Sequence, residues 1–284
     1  MEPQRPSRSA EFIASRRALH QLLDRPLVLD DPLAIKLLSP ENRHALAAIG
    51  SGSRPAGAGV IRAWVAARSR YCEDALASAV AERGVGQCVI LGAGFDTLAY
   101  RRRLADSLRI FEVDFPASQA LKRERLRAAG IAEPPSLTFV PVDLQEASLV
   151  DVLVAAGASC SDRVFFSALG LLPYLRPEVI HTMFRAIAAA FPPGSEIAFD
   201  YAPPPDLLPP QSREASNRWQ ALAQQAGEQV ISFVLPSDLR RTLVAAGFRQ
   251  VEQLDFEATN GRYFFARDDD LRVGPGLALA RAAV

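Results

Sequence analysis

The sequence predicts an α/β fold, with a doubly wound, largely parallel sheet of seven strands that ends in an antiparallel hairpin and follows a helical front segment. Three observations support it. From Gln87 onward, short apolar runs alternate with helical stretches at the spacing of βαβ units. The last two runs are so closely spaced that they form an antiparallel pair. Up to about Asp74 the pattern is instead helical and broken by turn signals.

In the front part, Asp31 is placed as an N-cap with Pro32 at the first helical position, so Asp30 and Asp31 read as helix-start chemistry rather than a catalytic pair. Ser51 to Gly59, reading SGSRPAGAG, cannot hold a regular element and is expected to be a loop, a possible lid hinge. The boundary falls near residue 75, giving a helical lid over 1–75 and a sheet domain over 76–284. Strands are expected at Cys88 to Gly92, Leu108 to Asp114, Leu137 to Asp143, Val164 to Ala168 and Glu196 to Tyr201. Val179, Met183, Phe184, Ile187 and Phe191 mark one apolar helix face, a packing stripe rather than a cofactor box. Pro203 to Pro210 must be a loop, because proline blocks helix interiors and central strands. A last helix over Ser237 to Ala246 takes Ser237 as N-cap and Gly247 as terminator. The closing pair is expected at Gln250 to Phe256 and Gly261 to Ala266.

Composition narrows the function classes. The chain has 284 residues, 49% apolar and 23% charged, with 32 basic and 32 acidic side chains. A disordered chain is excluded, and a net charge of zero provides no field for a polyanion. The densest basic cluster, Arg101-Arg102-Arg103, lacks interleaved aromatics beyond Tyr100 and reads as a solvated helix end, so neither nucleic acid nor membrane is expected as a partner. No uncharged apolar run of about 18 residues and no signal-peptide core appear, which points to a cytoplasmic protein. Cys72, Cys88 and Cys160 are too few and scattered for a disulfide framework or a zinc cage; they read as core residues, and no metal is expected.

The chemistry concentrates after the first strand. Gly92-Ala93-Gly94-Phe95-Asp96-Thr97 leads from strand to helix, where an open α/β sheet presents backbone N–H groups to a ligand. Gly-x-Gly alone also suits an ordinary strand-to-helix turn. Phe111-Glu112-Val113-Asp114 ends the next strand 22 residues past Gly92, the distance at which a carboxylate reaches a ribose diol. Nicotinamide and S-adenosylmethionine enzymes share that pair of features. Here the third glycine position is Thr97, and Asp96 would repel a pyrophosphate, so the loop suits a cofactor without phosphate, which S-adenosylmethionine is. Asp143 and Leu144 end the third strand where an adenine would sit, although Asp143 alone serves equally as a helix N-cap.

These residues resemble class I S-adenosylmethionine-dependent methyltransferases of the leucine carboxyl methyltransferase-like group, with its bacterial small-molecule and polyketide O-methyltransferase branch. The likeness covers most of the chain and is carried by five ordered motifs: Arg68 to Asp74 (RSRYCED), Leu91 to Arg101, Phe111 to Ala117 with Lys122, Val140 to Asp143, and Leu169 to Leu175 (LGLLPYL). The resemblance implies a Rossmann-like sheet under an N-terminal helical lid and S-adenosylmethionine as cofactor. Arg70 is implied for the cofactor carboxylate, with Arg68 as second choice, the glycine loop for the methionine end, Asp114 for the ribose, and Asp143 with Leu144 for the adenine. Many members carry Glu where this chain has Leu169, so the backbone of Ser167 and Ala168 is the expected substitute at the amino group. The implied activity is methyl transfer to a carboxylate or hydroxyl of a small molecule. A hydroxyl acceptor needs a base, for which His20, His44, His181 and Tyr174 are available, with His181 expected on the surface and His20 able to line the pocket. Alternatives are a catalytically silent cofactor-binding protein and a nicotinamide oxidoreductase.

Overall fold

The computed structural model of the chain describes residues 8–49, 58–101, 108–225 and 227–284. Seven strands form one sheet: β1 (Gln87–Leu91), β2 (Arg109–Asp114), β3 (Leu137–Pro141), β4 (Val164–Ala168), β5 (Glu196–Tyr201), β6 (Gln250–Leu254) and β7 (Ala278–Ala283). Their order is β3-β2-β1-β4-β5-β7-β6. The pairs among β1 to β5 are parallel, whereas β7 runs antiparallel to both β5 and β6. The winding reverses between β1 and β4, so their C-terminal ends flank the crevice where such sheets bind ligands.

The apolar runs fill two cores because helices cover both faces. In β1, Cys88 and Ile90 face one core while Val89 and Leu91 face the other. The first core is capped by α3 (Ala58–Arg83) through Ala63, Trp64, Ala67, Tyr71, Cys72 and Ala75, a stripe at helical spacing. The second is capped by α6 (Pro177–Ala190), where Ile180, Met183, Phe184 and Ile187 are buried as the stripe predicted. Three further helices pack outside the sheet: α4 (Pro116–Ala128), α5 (Leu149–Ala155) and α8 (Pro236–Ala246). The loop expected over Pro203 to Pro210 holds a 3-10 turn at Pro205–Leu207 and ends one residue early, because Pro210 is already the first residue of α7 (Pro210–Gln225).

The front helices are α1 (Arg8–Leu23) and α2 (Pro40–Ile49). They build a third cluster in which Ala14, Ala18, Leu19, Leu37 and Leu46 pack with Phe95 of the glycine loop and Leu126 of α4. α3 continues unbroken through residue 75 to Arg83, so the front segment joins the sheet through a helix rather than a linker. Most of the expected Ser51–Gly59 hinge lies outside the described residues, and Gly59 is already within α3. Asp31 accepts Ala34 N at 3.1 Å, but it is not the N-cap of a helix opening at Pro32: the element is a 3-10 turn at Ala34–Leu37 with Leu33 as its flanking residue.

Buried charge ties the front segment together. His20 is fully buried; its Nε2 accepts the amides of Val28 (3.0 Å) and Leu29 (3.2 Å), so Nδ1 carries the proton and donates to Asp24 at 2.8 Å. Arg62 completes the group with a two-pronged contact to Asp24, at 2.6 and 2.9 Å. Burial pushes the Asp24 carboxyl up, but hydrogen bonds from His20 and Arg62 outweigh it and hold the group below the ordinary aspartate range. Its stabilising effect is therefore complete above the unfolded aspartate pKa and is lost as pH falls through the lowered native value. Asp24→Asn removes the one carboxylate that both His20 and Arg62 meet and is expected to cost about 3 kcal/mol at neutral pH, with the gap to wild type closing in acid. Urea unfolding at two pH values measures both.

Two expectations at the C-terminal end are corrected. α8 begins at Pro236 with Leu235 as its flanking residue, so Ser237 lies inside the first turn and is not the N-cap; Gly247 does end the helix, at φ 113°. The segment expected to be the second hairpin strand, Gly261 to Ala266, is not a strand: its first three residues end helix α9 (Phe256–Tyr263), which is capped by Asp255 accepting from Ala258 N at 2.8 Å, and the rest is turn. The antiparallel partner of β6 is instead β7. Among the described residues, no helix is long and apolar enough to cross a membrane, and no cluster of His, Cys, Asp and Glu is arranged to hold a metal.

Candidate active site

A crevice opens at the C-terminal ends of β1 and β4. Its floor is the glycine loop, its rim is Asp114 and Ser167, and its outer wall is α1, through Ser9, Ala10, Ile13 and Arg17. The loop leaves β1 with Gly92 at φ 65° and Gly94 at φ 45°, both left-handed. Gly94 also has α1 against it: a Cβ there would lie 3.1 Å from Ala10 Cβ. Gly94→Ala combines backbone strain with that contact and is expected to lower stability by about 1–3 kcal/mol, read as a thermal midpoint several degrees lower.

Asp114 organises the loop. One carboxylate oxygen accepts Gly94 N at 2.5 Å and the other accepts Phe115 N at 2.7 Å, which fixes the plane of the group and leaves a second lone pair on each oxygen. Burial raises its pKa, opposed by those amides and by Lys122. Asp96 accepts Leu98 N at 2.7 Å and lines the crevice. Behind them Glu112 is fully buried and meets Lys122 at 2.6 Å. Burial pushes the Glu112 carboxyl well above the usual range, although Lys122 pulls it down.

Across the crevice, Arg68 projects from α3 and bonds Asp200 through Nη1 at 2.9 Å, while Gly170 N donates to the other Asp200 oxygen. Gly170 has φ 68°, and a Cβ on it would lie 2.9 Å from Arg68 Nη1. The guanidinium therefore occupies space that only glycine leaves open.

Of the residues singled out in the sequence, Gly92, Ala93, Gly94, Asp96, Asp114 and Ser167 come together here. Thr97, Glu112 and Ala168 are fully buried and do not line the crevice. Asp143 and Leu144 also lie outside its lining; Asp143 accepts Gln145 N at 2.8 Å in a turn, and Leu144 packs on the second core. Arg70 points away, half-exposed, and pairs with Asp74 at 2.7 Å, whereas Arg68 lines the crevice. The sequence held the signal: Arg68 is four residues after Trp64 and four before Cys72, on the buried stripe, while a two-residue step turns Arg70 about 200° around the helix. Arg17 and Asp200 were missed. Asp200 sits near the end of the largely apolar β5, on the same side of the strand as Ala198, which faces α3, a signal that only the sheet order makes readable.

The possible bases are also placed. His20 is committed to the backbone of the front segment, and His44 and His181 are exposed. Tyr174 lines the crevice beside Trp219, with ring centroids 6.2 Å apart, and burial raises its pKa. Arg101 departs from the expected solvated end: it turns inward to pair with Glu73 and donates to Asp30 O at 3.0 Å; Arg102 and Arg103 lie outside the described residues.

The donor set fits a nucleoside carrying a zwitterionic chain. Asp114 offers acceptors for a diol, Arg68 a cation for a carboxylate, and the glycines close approach, while Asp96 disfavours a pyrophosphate. The family model for leucine carboxyl methyltransferase matches residues 10–188, which contain all five motifs. The chain belongs to the leucine carboxyl methyltransferase family. Within it, the chain is 32% identical over 282 residues to YktD of Bacillus subtilis (strain 168), a candidate S-adenosyl-L-methionine-dependent methyltransferase, with 91% of each chain covered. A similarly described protein of Mycolicibacterium paratuberculosis is 32% identical, covering 93% of this chain and 88% of its own. Among solved structures, a candidate methyltransferase from Thermobifida fusca matches with a TM-score of 0.58 at 17% identity, covering 99% of this chain and 95% of its own. A DUF574 family protein from Streptomyces avermitilis matches with a TM-score of 0.57 at 17% identity, covering 95% and 96%. These two likenesses concern the fold, and they agree on the Rossmann-like sheet with its antiparallel end.

Proposed function

We propose that the protein transfers a methyl group from S-adenosylmethionine to a carboxylate oxygen of a small-molecule acid. Its family makes it an S-adenosylmethionine-dependent methyltransferase. One observation favours an acid: among the described residues no histidine or lysine lines the crevice, its phenol Tyr174 is held protonated by burial, and Asp96 and Asp114 are occupied by backbone amides. An alcohol would need a base to remove its proton, whereas a carboxylate arrives ionised.

When bound, the cofactor supplies an electrophilic methyl carbon on a sulfonium. The chain's own task is positioning: to hold an acceptor oxygen about 3 Å from that carbon, in line with the breaking bond, and to keep water out. Asp114 would take the ribose diol, and Arg68 rather than Arg70 the cofactor carboxylate. The front segment acts as the cover through α1, with Ile13 closing the apolar side and Arg17, which also pairs with the buried Asp31 at 3.2 Å, at its edge. Arg17 also donates to Phe95 O, which fastens that cover to the glycine loop.

Incubation with methyl-labelled cofactor and a panel of small acids, phenols and alcohols tests this reading. The expected product is an ester whose label is released by alkali. Label confined to phenols or alcohols would assign a hydroxyl acceptor, and an unlabelled panel would favour a silent binding protein.

A further inference from the structure

We propose that Asp200 is a positioning residue that aims Arg68 at the carboxylate of the cofactor's amino-acid end. This inference rests on the cofactor assignment above. Asp200 is 1% exposed at the end of β5 and does not line the crevice, so it acts through another group. Its two oxygens have divided tasks. One takes Arg68 Nη1 at 2.9 Å, and the other takes the amide of Gly170, the residue whose missing side chain makes room for the guanidinium. A single carboxylate thus sets both the arginine and the surface it lies on.

Among the described residues, Asp200 is the only side chain that forms an ion pair with Arg68. Because this contact uses Nη1, the remaining N–H groups of the planar fork are left to serve a second carboxylate. The neighbouring Leu169 lines the crevice without charge, so the grip on the amino-acid end depends on how well this one arginine is held.

The two roles a buried aspartate can have here, support of the fold and aim of the arginine, separate with two ligands. S-adenosylhomocysteine carries the amino-acid end; 5′-methylthioadenosine has the same nucleoside without it. Calorimetry on the full chain is expected to show Asp200→Asn binding S-adenosylhomocysteine about tenfold more weakly, with methylthioadenosine affinity within twofold of wild type. Asparagine still accepts the Gly170 amide, so the turn is kept while the charge is removed. Gly170→Ala provides a second route that keeps the Asp200 carboxylate: its Cβ displaces the guanidinium, its strain at φ 68° is read separately as a lower thermal midpoint, and the same selective loss is expected. Unchanged S-adenosylhomocysteine affinity in both variants, or equal losses for both ligands, would overturn the positioning role. If wild type binds methylthioadenosine but prefers it to S-adenosylhomocysteine, the positioning role falls while the nucleoside site stands. If wild type binds neither, the cofactor assignment fails and this inference with it.

Discussion

Asp114→Ala is expected to lower affinity for S-adenosylhomocysteine by roughly a hundredfold or more. A hydrogen bond to a charged group contributes about 1.5–3 kcal/mol, and a carboxylate facing a ribose diol makes two of them. At about 1.4 kcal/mol per factor of ten, the loss reaches at least two orders of magnitude. The variant also removes the acceptor that fixes Gly94 N at 2.5 Å and Phe115 N at 2.7 Å, so the floor of the crevice loosens with the rim. The pH dependence has a definite sign. Diol hydroxyls donate to the ionised form, so affinity is present above the Asp114 pKa and lost as pH falls through it. Because burial raises that pKa, the loss begins at a higher pH than an exposed aspartate would give. Calorimetry of wild type and variant across the acid range measures both effects; affinity indifferent to the substitution would remove the diol from Asp114.

Lys122→Met is expected to destabilise the fold by about 3–5 kcal/mol, the cost of leaving one partner of a buried ion pair alone. Glu112 is fully buried, Lys122 is 1% exposed, and their contact is 2.6 Å. Lys122 Nζ also lies 5.4 Å from the centroid of the Tyr100 ring. Without the ammonium, the Glu112 carboxyl takes up a proton, and its native pKa, already raised by burial, rises further. A native pKa above the unfolded one means that stability is best at low pH and declines as pH rises towards the native value. Urea midpoints of the variant should therefore fall between acid and neutral pH by more than those of wild type. The double substitution Glu112→Leu with Lys122→Met should recover most of the loss, because an apolar pair of similar volume carries no desolvation cost. A single variant as stable as wild type at neutral pH would show that the pair contributes little.

The parts of the fold that could be read from the sequence are those in which local pattern and tertiary role agree. β1, β2, β4 and β5 are short apolar runs buried on both faces, and the α6 stripe is a helix with one face in the core. The parts that escaped are those in which tertiary context overrides pattern. β7 reads ALARAA, a composition that favours helix, and is a strand because β5 and β6 supply hydrogen bonds on both sides. The strand expected at Gly261 to Ala266 is lost because Asp255 caps a first turn at Phe256 and the helix runs on through Tyr263. At the site, Gly92, Gly94 and Asp114 were legible because strand-end chemistry is local. The choice between Arg68 and Arg70 needed the helix phase, and Asp200 needed the knowledge that β5 lies beside β4 and faces α3.

Calorimetric titration of the wild-type chain with S-adenosylhomocysteine, and separately with reduced nicotinamide dinucleotide, tests the ligand assignment most directly. The crevice is expected to take one S-adenosylhomocysteine per chain and no dinucleotide. Dinucleotide binding with none of the thioether nucleoside would contradict it.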